Sequence, residues 1–231
     1  MLEVTFIEHS GFLVELEQHY LLFDYYKGEI PKLGKKPLYV FASHAHADHY
    51  QPMILDMGKQ YVETKLILSD DIVCAGQKNI TMVKPKQSYQ IDDLHLTTYQ
   101  STDAGVAFLV AVEGKYIYHA GDLNWWHWEA ENTIEENEAA KQAYIEEIHK
   151  LKGCSIDLAF LVLDPRQEDQ YYLGFDAFMQ IVKPKWAIPM HCWGDFALIH
   201  QLKQRPCAIS YKHQIVDIHH KEEKLIWQQK R

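Results

Sequence analysis

Ser43-His44-Ala45-His46-Ala47-Asp48-His49, directly after the apolar run PLYVFA (37–42), is the stretch on which the reading of this chain turns. The run is short, and a loop rich in Lys, Pro and Gly (31–36) precedes it, so it suits a buried strand. The polar cluster therefore begins where a strand should end, and four potential metal ligands fall within six residues. In extended backbone His44 and His46 place both imidazoles on one side, where they can share an ion; Ala45 and Ala47 keep the intervening space clear. A turn after His46 then aims Asp48 and His49 at a neighbouring ion. A lone histidine in a chain with 14 of them is usually exposed or satisfied in a core, but this spacing is not explained that way.

On the N-terminal side, VTFIEHSGFLVELEQHYLLFDYY (4–26) mixes β-branched and aromatic residues with polar ones, which predicts paired strands and a turn at His9-Ser10-Gly11. On the C-terminal side, Pro52 suits the first turn of a short helix, since its missing N–H would be unpaired there anyway. Strand-like patterns resume in LILSDDIV (66–73) and NITMVK (79–84). LHLTTYQ (94–100), GVAFLVAVEG (105–114) and KYIYHA (115–120) follow, with Gly114 at a hairpin turn. The clearest helix is 133–152, where Ala139, Ala140, Ala143, Tyr144, Ile148 and Leu151 recur at helical spacing and Gly153 ends the pattern. A strand in IDLAFLVLD (156–164), a helix around 176–182 and a strand in WAIPMH (186–191) complete a strand-helix-strand unit.

At 231 residues, with 47% apolar and 24% charged residues, the chain is expected to form one globular domain, 1–231. A net charge of -9 without a basic run disfavours long nucleic acid, although a bound dication can reverse the field locally and admit a small anionic substrate. Cys74, Cys154, Cys192 and Cys207 form no C-x-x-C pair and read as reduced thiols. No secretory leader and no run of about 18 apolar residues is visible, so the expected place is the cytoplasm, with no membrane partner. A homo-oligomer is compatible with all of this.

Asp122 in IYHAGD and His191 in AIPMHCWGD each close an apolar strand, and ligands converging from strand ends on one sheet edge are how an α/β scaffold assembles a site. Taken together, His-x-His-x-Asp-His, a strand-end Gly-Asp and a strand-end His resemble the metallo-β-lactamase superfamily over nearly the whole chain. HSGFLVE followed by YLLFD, with Asp24 after the strand, resembles the ascorbate-6-phosphate lactonase-like branch. The resemblance implies an α/β fold, the four-layer αβ/βα sandwich of the metallo-β-lactamase type, with metals at one edge. It implies that His44 and His46 hold a first ion, that Asp48, His49 and His191 hold a second, and that Asp122 bridges them.

The family also carries a histidine in the loop before the strand that begins here at Gly105. Ser101-Thr102-Asp103-Ala104-Gly105 stands in its place, which makes Asp103 the replacement ligand to consider. An oxygen donor there hardens the site, so Mn2+ or Fe2+ joins Zn2+ as a candidate for the one or two ions. The implied reaction is hydrolysis of a small ester, lactone or phosphodiester by metal-activated water, with Asp48 and Asp122 orienting the nucleophile and accepting its proton. Leu123-Asn124-Trp125-Trp126-His127-Trp128 offers Trp125 and Trp126 as a substrate wall, or as packing, and His127 as a proton donor. Arg166, after Asp164 and Pro165, can grip a carboxylate or phosphate or form a structural salt bridge. His9, His19, His95, His149, His200 and His213 have no ligand-spaced companion, and His219 and His220 suit a solvated turn. The competing reading is a non-catalytic metal- or ligand-binding module in which loss of the third histidine has removed hydrolysis.

Overall fold

A computed structural model describes residues 2–61 and 63–225. In chain order the elements are β1 (Glu3–Glu8), β2 (Gly11–Glu15), β3 (Tyr20–Phe23), β4 (Leu38–Ala42), a 3-10 turn (Pro52–Asp56) running into α1 (Met57–Gln60), β5 (Thr64–Ser69) and β6 (Ile80–Val83). Then come β7 (Ser88–Ile91), β8 (Leu94–Gln100), β9 (Val106–Val112), β10 (Lys115–His119), α2 (Ile134–His149), β11 (Leu158–Val162), α3 (Leu173–Ile181), β12 (Trp186–Met190), α4 (Ala197–Gln204) and β13 (Lys224–Leu225). α4 and β13 have no counterpart in the sequence reading; the other regular elements fall on segments it marks, except β7, which it leaves unassigned.

Two sheets form, in the order β13-β1-β2-β3-β4-β5-β6 and β12-β11-β10-β9-β8-β7. Side chains alternate across the first sheet. Leu21, Phe23, Tyr39, Phe41 and Ile67 join the core shared with the second sheet. Leu22, Leu38, Val40, Leu66 and Leu68 face outward and are covered by Ile54 and Met57 of the 52–60 helical segment. On the other side, Tyr144 and Ile148 of α2 and Phe175 and Phe178 of α3 belong to the core cluster of the second sheet. The result is the expected αβ/βα layering, with a thin helical layer over the first sheet. Strands covered on both faces must be apolar throughout, and β4 and β11 are buried at every position.

Strand direction then decides where the polar loops go. In the first sheet β1, β3, β4, β5 and β6 run the same way, with β2 antiparallel between β1 and β3. In the second, β8, β10, β11 and β12 share one direction. The loops after β1, β3, β4, β8, β10, β11 and β12 therefore gather at one edge of the sandwich. Backbone bonds tie the two sheets together there: Val106 N–H donates to Ser43 O at 2.9 Å and His191 N–H to His9 O at 3.2 Å.

This seam leaves no room for side chains at two glycines. Gly105 has φ +65°, and a Cβ there would lie 2.0 Å from Ser43 O and 2.6 Å from His44 Cβ. Gly121 has φ +53°, and its Cβ would lie 2.7 Å from Ser43 Cβ. The left-handed backbone alone costs an L-residue about 1–2 kcal/mol, and the overlap with backbone atoms adds to it. Gly105→Ala is therefore expected to lower stability by more than about 2 kcal/mol in urea denaturation; a midpoint within error of wild type would contradict this packing.

Candidate metal centre

The segment after β4 carries the first donors. His44 and His49 are buried, His46 is half-exposed, and His49 N–H donates to His46 O at 3.0 Å to close the turn expected there. Two groups of donor atoms result, each with its members within 4.8 Å of one another: His44, His46 and Asp122; and His9, Asp48, His49 and His191. Asp122, after β10, stands between them. Its Oδ2 is 3.5 Å from His44 Nε2, while its Oδ1 is 3.2 Å from His49 Nε2 and 3.5 Å from His191 Nε2.

A further row of groups fixes the imidazoles. Asp24, wholly buried after β3, accepts from Ser43 N–H and from Ser43 Oγ–H, both at 2.7 Å, and from His49 Nδ1–H at 2.8 Å. Because the Ser43 hydroxyl proton goes to Asp24, its oxygen can only accept from His44 Nδ1–H, 2.9 Å away. His191 Nδ1–H donates to Asp164 Oδ2 at 2.9 Å, and Asp164 in turn accepts from Arg166 Nε and Nη2. In His44, His49 and His191 the Nδ1 proton is thereby placed outward and Nε2 is turned to the centre, the ligating tautomer.

Those inward atoms are poorly satisfied by protein. His9 Nε2, His44 Nε2, His49 Nε2 and Asp122 Oδ1 are buried without a hydrogen-bond partner among the described residues, although His49 Nε2 and Asp122 Oδ1 lie close together. An unmade hydrogen bond of this kind costs roughly 1–3 kcal/mol, so four of them rival the typical net stability of a domain, about 5–15 kcal/mol. A divalent cation removes that cost and suits an imidazole and carboxylate donor set. Charge points the same way. Burial lowers the pKa of His49, but the charge of Asp122 and the charge and hydrogen bond of Asp24, with Asp48 behind them, raise it to about 9. Burial, His49 and His46 against weaker carboxylate pull keep His44 down at about 4, neutral at physiological pH.

His9 is the donor that sequence reasoning missed. It sits in the β1–β2 turn at φ 55°, a left-handed conformation shared by Asp24 (41°) and His191 (64°). Non-glycine residues held there cost free energy, and they cluster where a site needs a particular side-chain direction. The available signal was topological: a strand-end histidine on a strand running parallel to β3.

Asp103 lies farther out, half-exposed, with Oδ2 3.9 Å from His46 Nδ1, and it belongs to neither tight donor group. It lines a cavity of about 430 Å3 with Asp122, Trp126, Trp128 and Arg166. Trp126 and Trp128 stack at 5.7 Å between centroids, and the Arg166 guanidinium lies 4.8 Å from the Trp193 ring. Trp125 does not join this wall: it packs against the core, with the Lys141 ammonium 5.5 Å over its ring. Nor does His127, whose Nε2 meets a Glu129 carboxylate oxygen at 2.9 Å. Consecutive residues of the loop point different ways, so Trp126 and Trp128 reach the cavity while Trp125 and His127 do not line it. Both readings of Arg166 have a basis, since it pairs with Asp164 and also lines the cavity. His219 pairs with Glu223 in an exposed turn, as expected.

Residues 3–137 match the Beta-lactamase superfamily domain, a span that includes the 44–49 cluster, Asp103 and Asp122. The chain is 24% identical over 225 residues to a UPF0173 metal-dependent hydrolase of Heliobacterium modesticaldum, covering 87% of this chain and 86% of that one. It is 26% identical over 216 residues to another from Opitutus terrae, covering 82% and 84%. Among solved structures it superposes on Igni18, a metallo hydrolase from Ignicoccus hospitalis, with a TM-score of 0.67 at 15% identity over 99% of both chains. On the metallo-beta-lactamase fold protein YhfI from Bacillus subtilis the TM-score is 0.60 at 13% identity, over 93% of this chain and 95% of that one. Among the described residues no helix is long and apolar enough to cross a membrane.

Replacing Asp24 by Asn keeps its shape and tolerates its backbone but removes the charge that Ser43 and His49 donate to. Asp24→Asn is expected to lower stability by on the order of 3 kcal/mol in chelator-treated protein; urea curves that coincide with wild type would show that the carboxylate does not hold these segments together.

Proposed function

Since the chain belongs to the β-lactamase superfamily and is a metal-dependent hydrolase of it, we propose that residues 1–231 act as one domain with a dinuclear centre that hydrolyses a small ester, lactone or phosphodiester. The observation that carries this reading is the pair of donor groups with Asp122 of one lying 3.2 Å from His49 and 3.5 Å from His191 of the other, and with inward atoms that find no hydrogen-bond partner among the described residues. His44, His46 and Asp122 would hold one ion, Asp48, His49, His191 and Asp122 the other, and Asp103 would complete the first in place of a histidine. Zn2+ suits the imidazole-rich half; the carboxylates admit Mn2+ or Fe2+. When bound, the metal supplies Lewis acidity and lowers the pKa of water from near 16 towards about 7.

The chain's own groups do the rest. Asp122 directs one oxygen to each half, so it orients the attacking water between them. Asp48 is the least buried of its donor group and is held ionised: burial would raise its pKa, but the nearby His9 ring, 3.3 Å away, and the His49 charge depress it well below the usual carboxylate range. Ionised, it can accept a hydrogen bond from the attacking water and orient it, a role that His127 does not share because its Nε2 meets Glu129. Trp126 and Trp128 supply an apolar wall, and Trp126 is anchored by its Nε1–H donating to Asp122 O at 3.0 Å. Arg166 has Nε and Nη2 on Asp164, which leaves its outer edge for an anionic group of the substrate. The cavity volume, about 430 Å3, suits a small molecule. A non-catalytic module is not favoured, because the curated relatives are named hydrolases.

Metal content per chain tests this most simply. Wild-type protein purified without chelator is expected to carry about two metals by inductively coupled plasma mass spectrometry, to hydrolyse a generic aryl phosphodiester or ester, and to lose that activity reversibly to a chelator. Asp103→Ala should carry closer to one. Protein that binds no metal even after reconstitution would overturn the reading.

A further inference from the structure

We propose that His9 is a protein ligand of the second metal position, so that Asp48, His49, His191 and His9 enclose that half of the centre and substrate meets the half at His44 and His46. This rests on the dinuclear reading above. His9 Nε2 lies within 4.8 Å of the other three donors, yet it is buried and has no hydrogen-bond partner among the described residues. Asp48 Oδ2 is 3.3 Å away but not in hydrogen-bond alignment, so the two atoms converge without satisfying one another.

The ring is also held in place. His9 O accepts the His191 N–H at 3.2 Å, its ring lies 4.0 Å from that of His191, and Trp193 closes the other side at 4.6 Å. A histidine kept at φ 55° merely to fill a turn would be an expensive choice where glycine or asparagine serves.

Donor counting then makes the centre asymmetric. With Asp122 counted in both halves, His9 brings the second position to five protein donors, whereas the first has His44, His46 and Asp122 with at most Asp103 beside them, so room for water and substrate is left at the first. His44, His46 and Asp122 form the three-donor group, and among the described residues the half-exposed Asp103 beside His46 is the one further carboxylate in the cavity wall. The cavity of about 430 Å3 opens onto Asp103 and Asp122, and His46 of that half is half-exposed, whereas His49 and His191 are buried and His9 lines a separate, smaller pocket of about 210 Å3 with Tyr26 and Trp193.

Two experiments decide it. In 15N-histidine-labelled wild-type protein loaded with 113Cd2+, five imidazole nitrogens (one each from His9, His44, His46, His49 and His191) are expected to show coupling to cadmium. Four, with His9 uncoupled, would overturn the proposal whatever any variant does. In parallel, metal-free His9→Asn, chosen because asparagine tolerates left-handed backbone, is titrated with Co2+ alone. It should bind one ion at wild-type affinity and the second about 100-fold more weakly, the upper end of what loss of a group supporting a metal ligand costs. Two ions at wild-type affinity with reduced turnover would instead make His9 a proton carrier. Absence of any bound metal would fail the dinuclear reading itself, an outcome distinct from either.

Discussion

Buried lone pairs without protons to meet them are the constraint around which this molecule is arranged. Three imidazole nitrogens and a carboxylate oxygen, on His9, His44, His49 and Asp122, lie buried at one end of a two-sheet sandwich without a hydrogen-bond partner among the described residues, and the Nδ1 protons of His44 and His49 are already engaged on the outside of the rings. Asp24 and Asp164, both buried, fix that orientation from behind. The cost of unmet polar atoms is tolerable if a dication is the missing partner, and the left-handed backbone at His9, Asp24 and His191 is a further expense at the same edge.

The sandwich makes such convergence possible through strand direction. Seven loops arrive at one edge because the strands before them run in common directions in each sheet, and the glycine seam at Gly105 and Gly121 lets the loops of the second sheet press against Ser43 and His44. Local chain order therefore matters less than strand parity. Residues as distant as His9 and His191 come within ring contact because each ends a strand pointing the same way.

How much of this is legible in the sequence follows from that geometry. The 44–49 cluster announces itself because its ligands are close in the chain, and PLYVFA marks the strand that carries it. Asp122 and His191 are readable as polar ends of apolar runs. His9 is not, since a single histidine in a hairpin turn has no neighbour to identify it, and only the antiparallel step through β2 puts β1 in line with β3. α4 escapes notice because its apolar Leu198, Ile199 and Leu202 span barely two turns, and β13 because two residues carry no periodicity. The Trp125–Trp128 loop shows the opposite failure: composition announces an aromatic wall, but only the backbone path decides which rings face the cavity.

Anomalous diffraction from crystals grown with metal and no chelator tests the central claim most directly. The account requires two peaks flanking Asp122, one against His44 and His46 and the other against Asp48, His49 and His191. A fully formed strand-end edge with no anomalous density beside Asp122, or an ion bound only elsewhere, would contradict it.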